Sequence, residues 1–147
     1  MNKESKRLYF AYGSNMDPEQ MEERCPGAKS KGCGKLSGYG FVMNHRGVAT
    51  LKKDRDKDVF GVLWEISPAD ERTLDLKEGV HLNGYYHKEM LEIETGPGEV
   101  HKALVYIDSR TETGEPRAGY LDKVLKGAEH IELPRAYLGE LSSWTRA

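Results

Sequence analysis

The chain reads as an α+β domain whose small, mixed, mostly antiparallel sheet closes toward a barrel and carries flanking helices. Three observations predict this. Strand candidates follow one another through hairpin-like turns, the connection that antiparallel pairing uses. Helical segments with recognisable starts lie between some of the strands and not between others, as in α+β folds. Glycines at 32, 34, 38 and 40 interrupt apolar strand text, where a short sheet bends or another backbone comes close.

The elements follow in chain order. Residues 8–12 (LYFAY) are apolar and aromatic throughout and predict a buried strand. Gly13-Ser14-Asn15 follows at once, and then Asp17-Pro18, a carboxylate cap with proline in the first turn. These predict a helix that stops near Cys25-Pro26-Gly27. Residues 28–44 predict one or two bent strands with Leu36, Tyr39, Phe41 and Val42 as their apolar content. Residues 48–51 form a short strand candidate, and residues 59–66 (VFGVLWEI) a strong one, apolar enough for burial on both faces. Between them the run Lys52-Lys53-Asp54-Arg55-Asp56-Lys57-Asp58 alternates in sign and predicts a solvated hairpin loop.

Ser67-Pro68-Ala69-Asp70 opens a second helix, with a serine cap and an acid three residues on. It runs through Leu74 and Leu76 and ends near Gly79. A strand opens at Gly84-Tyr85-Tyr86 and runs through Met90, Leu91 and Ile93. The turn Gly96-Pro97-Gly98-Glu99 leads to its antiparallel partner, residues 100–107, in which Ala103, Val105 and Ile107 alternate. Helices over 117–127 and 133–144, the latter opened by Pro134, complete the pattern. No repeat, low-complexity tract or linker divides the chain, so residues 1–147 are expected to form one domain.

Composition narrows the function classes. The formal net charge is -2 and both signs are mixed along the chain, so the basic stripe of a nucleic-acid footprint is missing. No apolar run approaches the ~20 residues that span a bilayer. The N-terminal text lacks the signal-peptide pattern, and the expected location is cytoplasmic. Cys25 and Cys33 match no zinc or redox spacing and are expected to be free thiols. The five histidines show no helical ligand spacing, so no metal site is expected. The sequence does not speak to oligomeric state.

Two motifs can carry chemistry. Tyr12-Gly13-Ser14-Asn15 lies between a buried strand and a helix start. Such a turn presents backbone N–H groups to one point, which suits a carboxylate, a phosphate or a developing oxyanion. It lacks the Gly-Lys-Ser/Thr ending of a Walker loop and the later glycines of a dinucleotide fingerprint. Glu78 ends the second predicted helix, where the helix dipole and partial burial both raise a carboxylate pKa. A raised pKa is what a general base working near neutrality needs. Tyr85, Tyr86, Tyr120 and Tyr137 form a set from which a polar pocket could draw ring faces and hydroxyls. Ser14 as a nucleophile would need a partner base, and its context is not the G-x-S-x-G elbow.

Taken together, these segments resemble the γ-glutamylcyclotransferase family, with its AIG2-like and butirosin-pathway relatives. The matching pieces are Tyr9 through Met16 (YFAYGSNM), Gly61 through Ile66 (GVLWEI), Leu74-Asp75 with Glu78-Gly79-Val80, Gly84-Tyr85-Tyr86, and Gly119-Tyr120. Their order and spacing match along nearly the whole chain. The resemblance implies a small mixed barrel with flanking helices. It implies a catalytic Glu78, a substrate-gripping loop at Tyr12, Gly13, Ser14 and Asn15, and pocket tyrosines drawn from Tyr85, Tyr86 and Tyr120. The implied reaction closes a γ-glutamyl amide into 5-oxoproline and a free amine, with no cofactor or metal. The partner is a small γ-glutamyl molecule, either a γ-glutamyl amino acid or a γ-glutamyl amine. The loop amides would hold the α-carboxylate or the oxyanion. A pocket protein that binds an anion without catalysis, and a hydrolase using Ser14, are the competing classes.

Overall fold

Local sequence sets the helix starts, and strand pairing sets the frame around them. The computed structural model describes residues 6–78 and 86–144. The strands are β1 (Arg7–Ala11), β2 (Lys29–Met43), β3 (Ala49–Ile66), β4 (Tyr86–Gly96) and β5 (Glu99–Asp108). The helices are α1 (Pro18–Arg24), α2 (Pro68–Glu78), α3 (Tyr120–His130) and α4 (Arg135–Ser142), and one 3-10 turn, Ser14–Met16, joins β1 to α1. Asp17 caps α1 by accepting from the Glu19 N–H at 3.1 Å. Ser67 and Asp70 form the reciprocal capping box of α2, with both bonds at 3.1 Å.

The sheet order is β1-β3-β2-β4-β5, closed into a barrel by parallel pairing of β1 with β5 at Tyr9 and Leu104. Every other neighbour is antiparallel. The α+β, barrel-like expectation is therefore met. Phe10, Met43, Val59, Leu63, Ile66, Ile93 and Leu104 are almost wholly buried and form the centre of the core. Residues 28–44 make one strand and not two, with register shifts between Ser30 and Cys33 and between Ser37 and Tyr39.

One expectation fails. Residues 52–58 are not a hairpin loop but part of β3, and the turn between β2 and β3 lies earlier, at residues 44–48. Lys53 pairs with Tyr39 and Asp58 with Ser37, so residues 54–57 sit opposite Gly38 alone. The physical reason is that a main-chain ladder is indifferent to side-chain charge: it holds Lys52, Lys53 and Asp58, and residues 54–57 are taken up as a wide bulge between them. The charged side chains stay largely exposed, as their composition requires. Helix α3 also begins at Tyr120 instead of residue 117, with Gly119 as its N-cap.

Strand direction brings the chemistry to one end of the barrel. There Gly13, just past β1, lies against Ala49 at the start of β3, Thr50 bonds Asp108 at the end of β5, and Tyr86 at the start of β4 bonds Ala49. Cys25 and Cys33 are both free, the first buried and the second exposed. Among the described residues no helix is long and apolar enough to cross a membrane.

Candidate active site

The chain leaves β1 at Tyr12 and makes its 3-10 turn under tight control. The turn closes through Met16 N–H to the Gly13 carbonyl and Asp17 N–H to the Ser14 carbonyl, both at 3.0 Å. The N–H groups of Ser14 and Asn15, at its N-terminal end, have no partner within the turn. Asn15 is buried and holds the turn in place. Its Nδ2 donates to the Tyr9 hydroxyl at 2.9 Å, and its Oδ1 accepts from Gln20 at 2.7 Å and Arg24 at 2.9 Å. Its carbonyl accepts from the Trp64 indole at 3.1 Å. The Ser14 hydroxyl accepts from Gln20 at 2.7 Å and also bonds with the Tyr120 hydroxyl. Gly13 is required by a close approach: a Cβ there would lie 2.9 Å from the Tyr120 hydroxyl and 3.3 Å from the Ala49 Cβ.

Tyr86 and Tyr120 grip a single β3 residue. The Tyr86 hydroxyl donates to the Ala49 carbonyl at 2.7 Å, and the Tyr120 hydroxyl accepts from the Ala49 N–H at 3.1 Å. Ser14 also bonds the Tyr120 hydroxyl, so between these two hydroxyls one proton is left to donate into the cleft. Tyr12 donates to the Tyr106 carbonyl at 2.5 Å, and Tyr106 donates to Asp75 Oδ1 at 2.7 Å. Burial raises the pKa of each of these phenols, so they stay neutral donors near physiological pH.

Glu78 is the last residue of α2 and its side chain is 17% exposed. Burial pushes its carboxyl up to about 7, and the nearby Arg24 and Arg46 guanidiniums hold it back from rising further. Arg24 Nη1 stands 4.0 Å from Glu78 Oε2, too far for a hydrogen bond. Desolvation is therefore the dominant cause of the shift.

The inner cleft is narrow and is lined by Glu78, Tyr12, Gly13, Ser14, Asn15, Tyr86 and Tyr120, together with Tyr9, Ala49 and Tyr106. Tyr85 lies outside the described residues. Tyr137 is no part of the cleft: it is buried and packs edge-on against Phe60, with ring centroids 5.1 Å apart. The sequence reading missed Tyr9, Ala49, Tyr106 and Arg24. For the two tyrosines there was a usable signal, because a tyrosine inside a buried strand must find a partner for its hydroxyl. The cleft adjoins a larger outer one, which Arg24, Arg46, Lys77, Arg117 and Lys123 flank. Among the described residues no cluster of His, Cys, Asp or Glu could hold a metal ion.

Known proteins share this arrangement of chain. Residues 58–141 match the model of the AIG2-like family. Over a 146-residue alignment the chain is 27% identical to a γ-glutamylcyclotransferase of Mus musculus and to one of Homo sapiens, covering 92% of this chain and 77% of each relative. A solved γ-glutamyl cyclotransferase superposes with a TM-score of 0.88 at 26% identity, covering 95% of this chain and 88% of that one. YkqA from Bacillus subtilis shares the fold, with a TM-score of 0.79 at 24% identity over 95% of this chain and 54% of its own.

Proposed function

The chain belongs to the AIG2-like family, and on that premise we propose that it is a cyclotransferase that converts γ-glutamyl amides to 5-oxoproline, with Glu78 as its acid–base residue. The observation that carries this reading is a largely buried carboxyl, pushed up to about 7 by that burial, in the wall of a cleft whose other side offers hydroxyls and backbone N–H groups. A cleft built only to hold an anion would gain nothing from a buried carboxylate.

The reaction is tethered. The α-amine of a γ-glutamyl amide attacks its own γ-carbonyl, a C–N bond forms to close a five-membered lactam, and the C–N bond to the leaving amine breaks. Holding the folded conformer removes most of the entropic barrier, and effective molarities for well-oriented cases reach ~10⁵ M or more. At neutral pH the α-nitrogen is an ammonium and cannot attack. Glu78 takes its first proton and returns it to the departing nitrogen. The second proton passes from the lactam nitrogen to the freed amine, so the ammonium charge moves from one nitrogen to the other. A carboxyl with a pKa near 7 can both accept and return a proton at working pH.

The turn at Ser14 and Asn15 offers backbone N–H to an anionic substrate oxygen, and the bonded pair of Tyr120 and Ser14 hydroxyls has one proton left to donate. Tyr86 reaches the same space but spends its hydroxyl on Ala49, which fixes the ring as a wall.

The test is 5-oxoproline release from a panel of γ-glutamyl amino acids and γ-glutamyl amines, wild type beside Glu78→Gln. Release by the wild type, reduced about a thousandfold in the near-isosteric variant, is the expected outcome. A folded wild type that binds γ-glutamyl compounds and releases no lactam from any of them would point instead to a non-catalytic pocket protein.

A further inference from the structure

The outer cleft meets the inner one at Ser14, Glu78, Tyr86 and Tyr120. A γ-glutamyl group seated in the inner cleft would therefore extend its leaving amine into the outer one. That space has a marked charge bias. Five cationic side chains line it against one carboxylate, Glu78, in a chain whose 24 acids outnumber its 22 lysines and arginines.

Two of the five have work elsewhere. Arg24 bonds Asn15 and faces Glu78. Arg46 pairs with the fully buried Asp108 at 2.7 Å. Arg117 is different. It is exposed, yet the turn before β3 is shaped around its stem. Its N–H donates to the Gly47 carbonyl at 3.0 Å and its Nε donates to the Arg46 carbonyl at 2.9 Å. Gly47 lies at φ 80°, and a Cβ there would come within 2.7 Å of Arg117 Cγ and 2.8 Å of its N. The stem is fixed at Cγ and Nε, while the Nη groups meet no acceptor among the described residues. A guanidinium oriented through Nε with its outer edge open is suited to a carboxylate gripped by two parallel N–H bonds. Lys123 donates to the neutral Gln20 Oε1 at 3.1 Å, and neither it nor Lys77 pairs with an acid among the described residues. That leaves cationic charge beyond what one carboxylate would balance.

We propose that the outer cleft is a leaving-group subsite, that Arg117 is its specificity-determining residue, and that the preferred leaving amine carries two carboxylates. Arg117 takes the first, and Lys123 with Lys77 the second. This rests on the γ-glutamyl reading above. It excludes γ-glutamyl polyamines and lysine-linked isopeptides as good substrates, because their leaving groups bring positive charge into a positive cleft.

The experiment measures kcat/KM for 5-oxoproline release from γ-glutamylglutamate, γ-glutamylglutamine and γ-glutamylpropylamide in the wild type, Arg117→Gln and Lys123→Gln. These substrates present two, one and no leaving-group carboxylates. The wild type should favour them in that order, with about thirtyfold or more between first and last, mostly in KM. Arg117→Gln should collapse the preference for γ-glutamylglutamine over the propylamide to below about threefold. Lys123→Gln, on an exposed helix face, should bring γ-glutamylglutamate down toward γ-glutamylglutamine. Equal turnover of all three by the wild type would overturn the subsite while leaving the cyclotransferase reading intact. So would an Arg117→Gln variant that loses the same factor on every substrate, since that is the signature of a merely structural arginine. No lactam from any of the three would overturn both readings together.

Discussion

Asp75 and Glu78 lie one turn apart on α2, and their carboxylates are in opposite circumstances. Asp75 is 6% exposed and doubly satisfied, by the Tyr106 hydroxyl at 2.7 Å and by Lys88 at 3.1 Å. Lys88 also reaches Glu71 at 2.8 Å, so α2 is fastened to β4 and β5 along this face. Glu78, nearly as enclosed, accepts no hydrogen bond from any described residue and is pushed up to about 7 by burial. One helix thus uses a satisfied carboxylate for anchoring and holds, at the cleft, one that takes no hydrogen bond from the described residues. Burial alone does not distinguish them. The presence or absence of donors does.

That contrast can be broken in several ways. The largest expected effect is on turnover. Glu78→Gln should lower kcat about a thousandfold with the fold intact, whereas Asp75→Asn, acting only through the placement of α2, should cost about tenfold. Comparable losses would erase the distinction. Stability should respond with opposite signs. Asp75→Asn removes a buried, bonded charge and should destabilise by about 1–3 kcal/mol in denaturant unfolding. Glu78→Gln should stabilise at pH 8 by about 1–3 kcal/mol. The sign follows from the direction of the shift. With a folded value near 7 and an ordinary value of 4.5, the unfolded chain loses its proton first. Wild-type stability should therefore fall as pH rises between those values and level off above them, while the glutamine variant lacks that decline. The smallest effect belongs to Arg24, whose charge holds the Glu78 value down. Arg24→Gln should move the acid limb of the pH–rate profile upward by about half a unit. An unmoved limb would detach Arg24 from the titration.

Much of this was legible in the sequence because its signals are local. The strand–turn–helix unit at residues 8–24 is written in an aromatic run, Gly13, and Asp17 before Pro18. The position of Glu78 follows from the helix start at Ser67 and the helix end expected near Gly79. What was not legible depends on pairing across the chain. Tyr9 and Tyr106 come together, ring centroids 5.7 Å apart, only because β1 and β5 close the barrel. The choice of Tyr86 as a cleft wall depends on which face of β4 meets Ala49. The run 52–58 misleads because alternating charge describes its solvation and not its backbone. Arg117 carries no motif at all, and its placement is set by the turn at Gly47, seventy residues earlier.

The most direct test of the central claim is the pH dependence of kcat/KM for 5-oxoproline release between pH 5 and 9. If Glu78 is the base, the wild-type rate falls tenfold per unit below an apparent pKa near 7, and Glu78→Gln shows only a residual rate without that limb. A wild-type rate that stays level from pH 5 to 8, or a Glu78→Gln variant that keeps both the rate and the limb, would contradict the assignment.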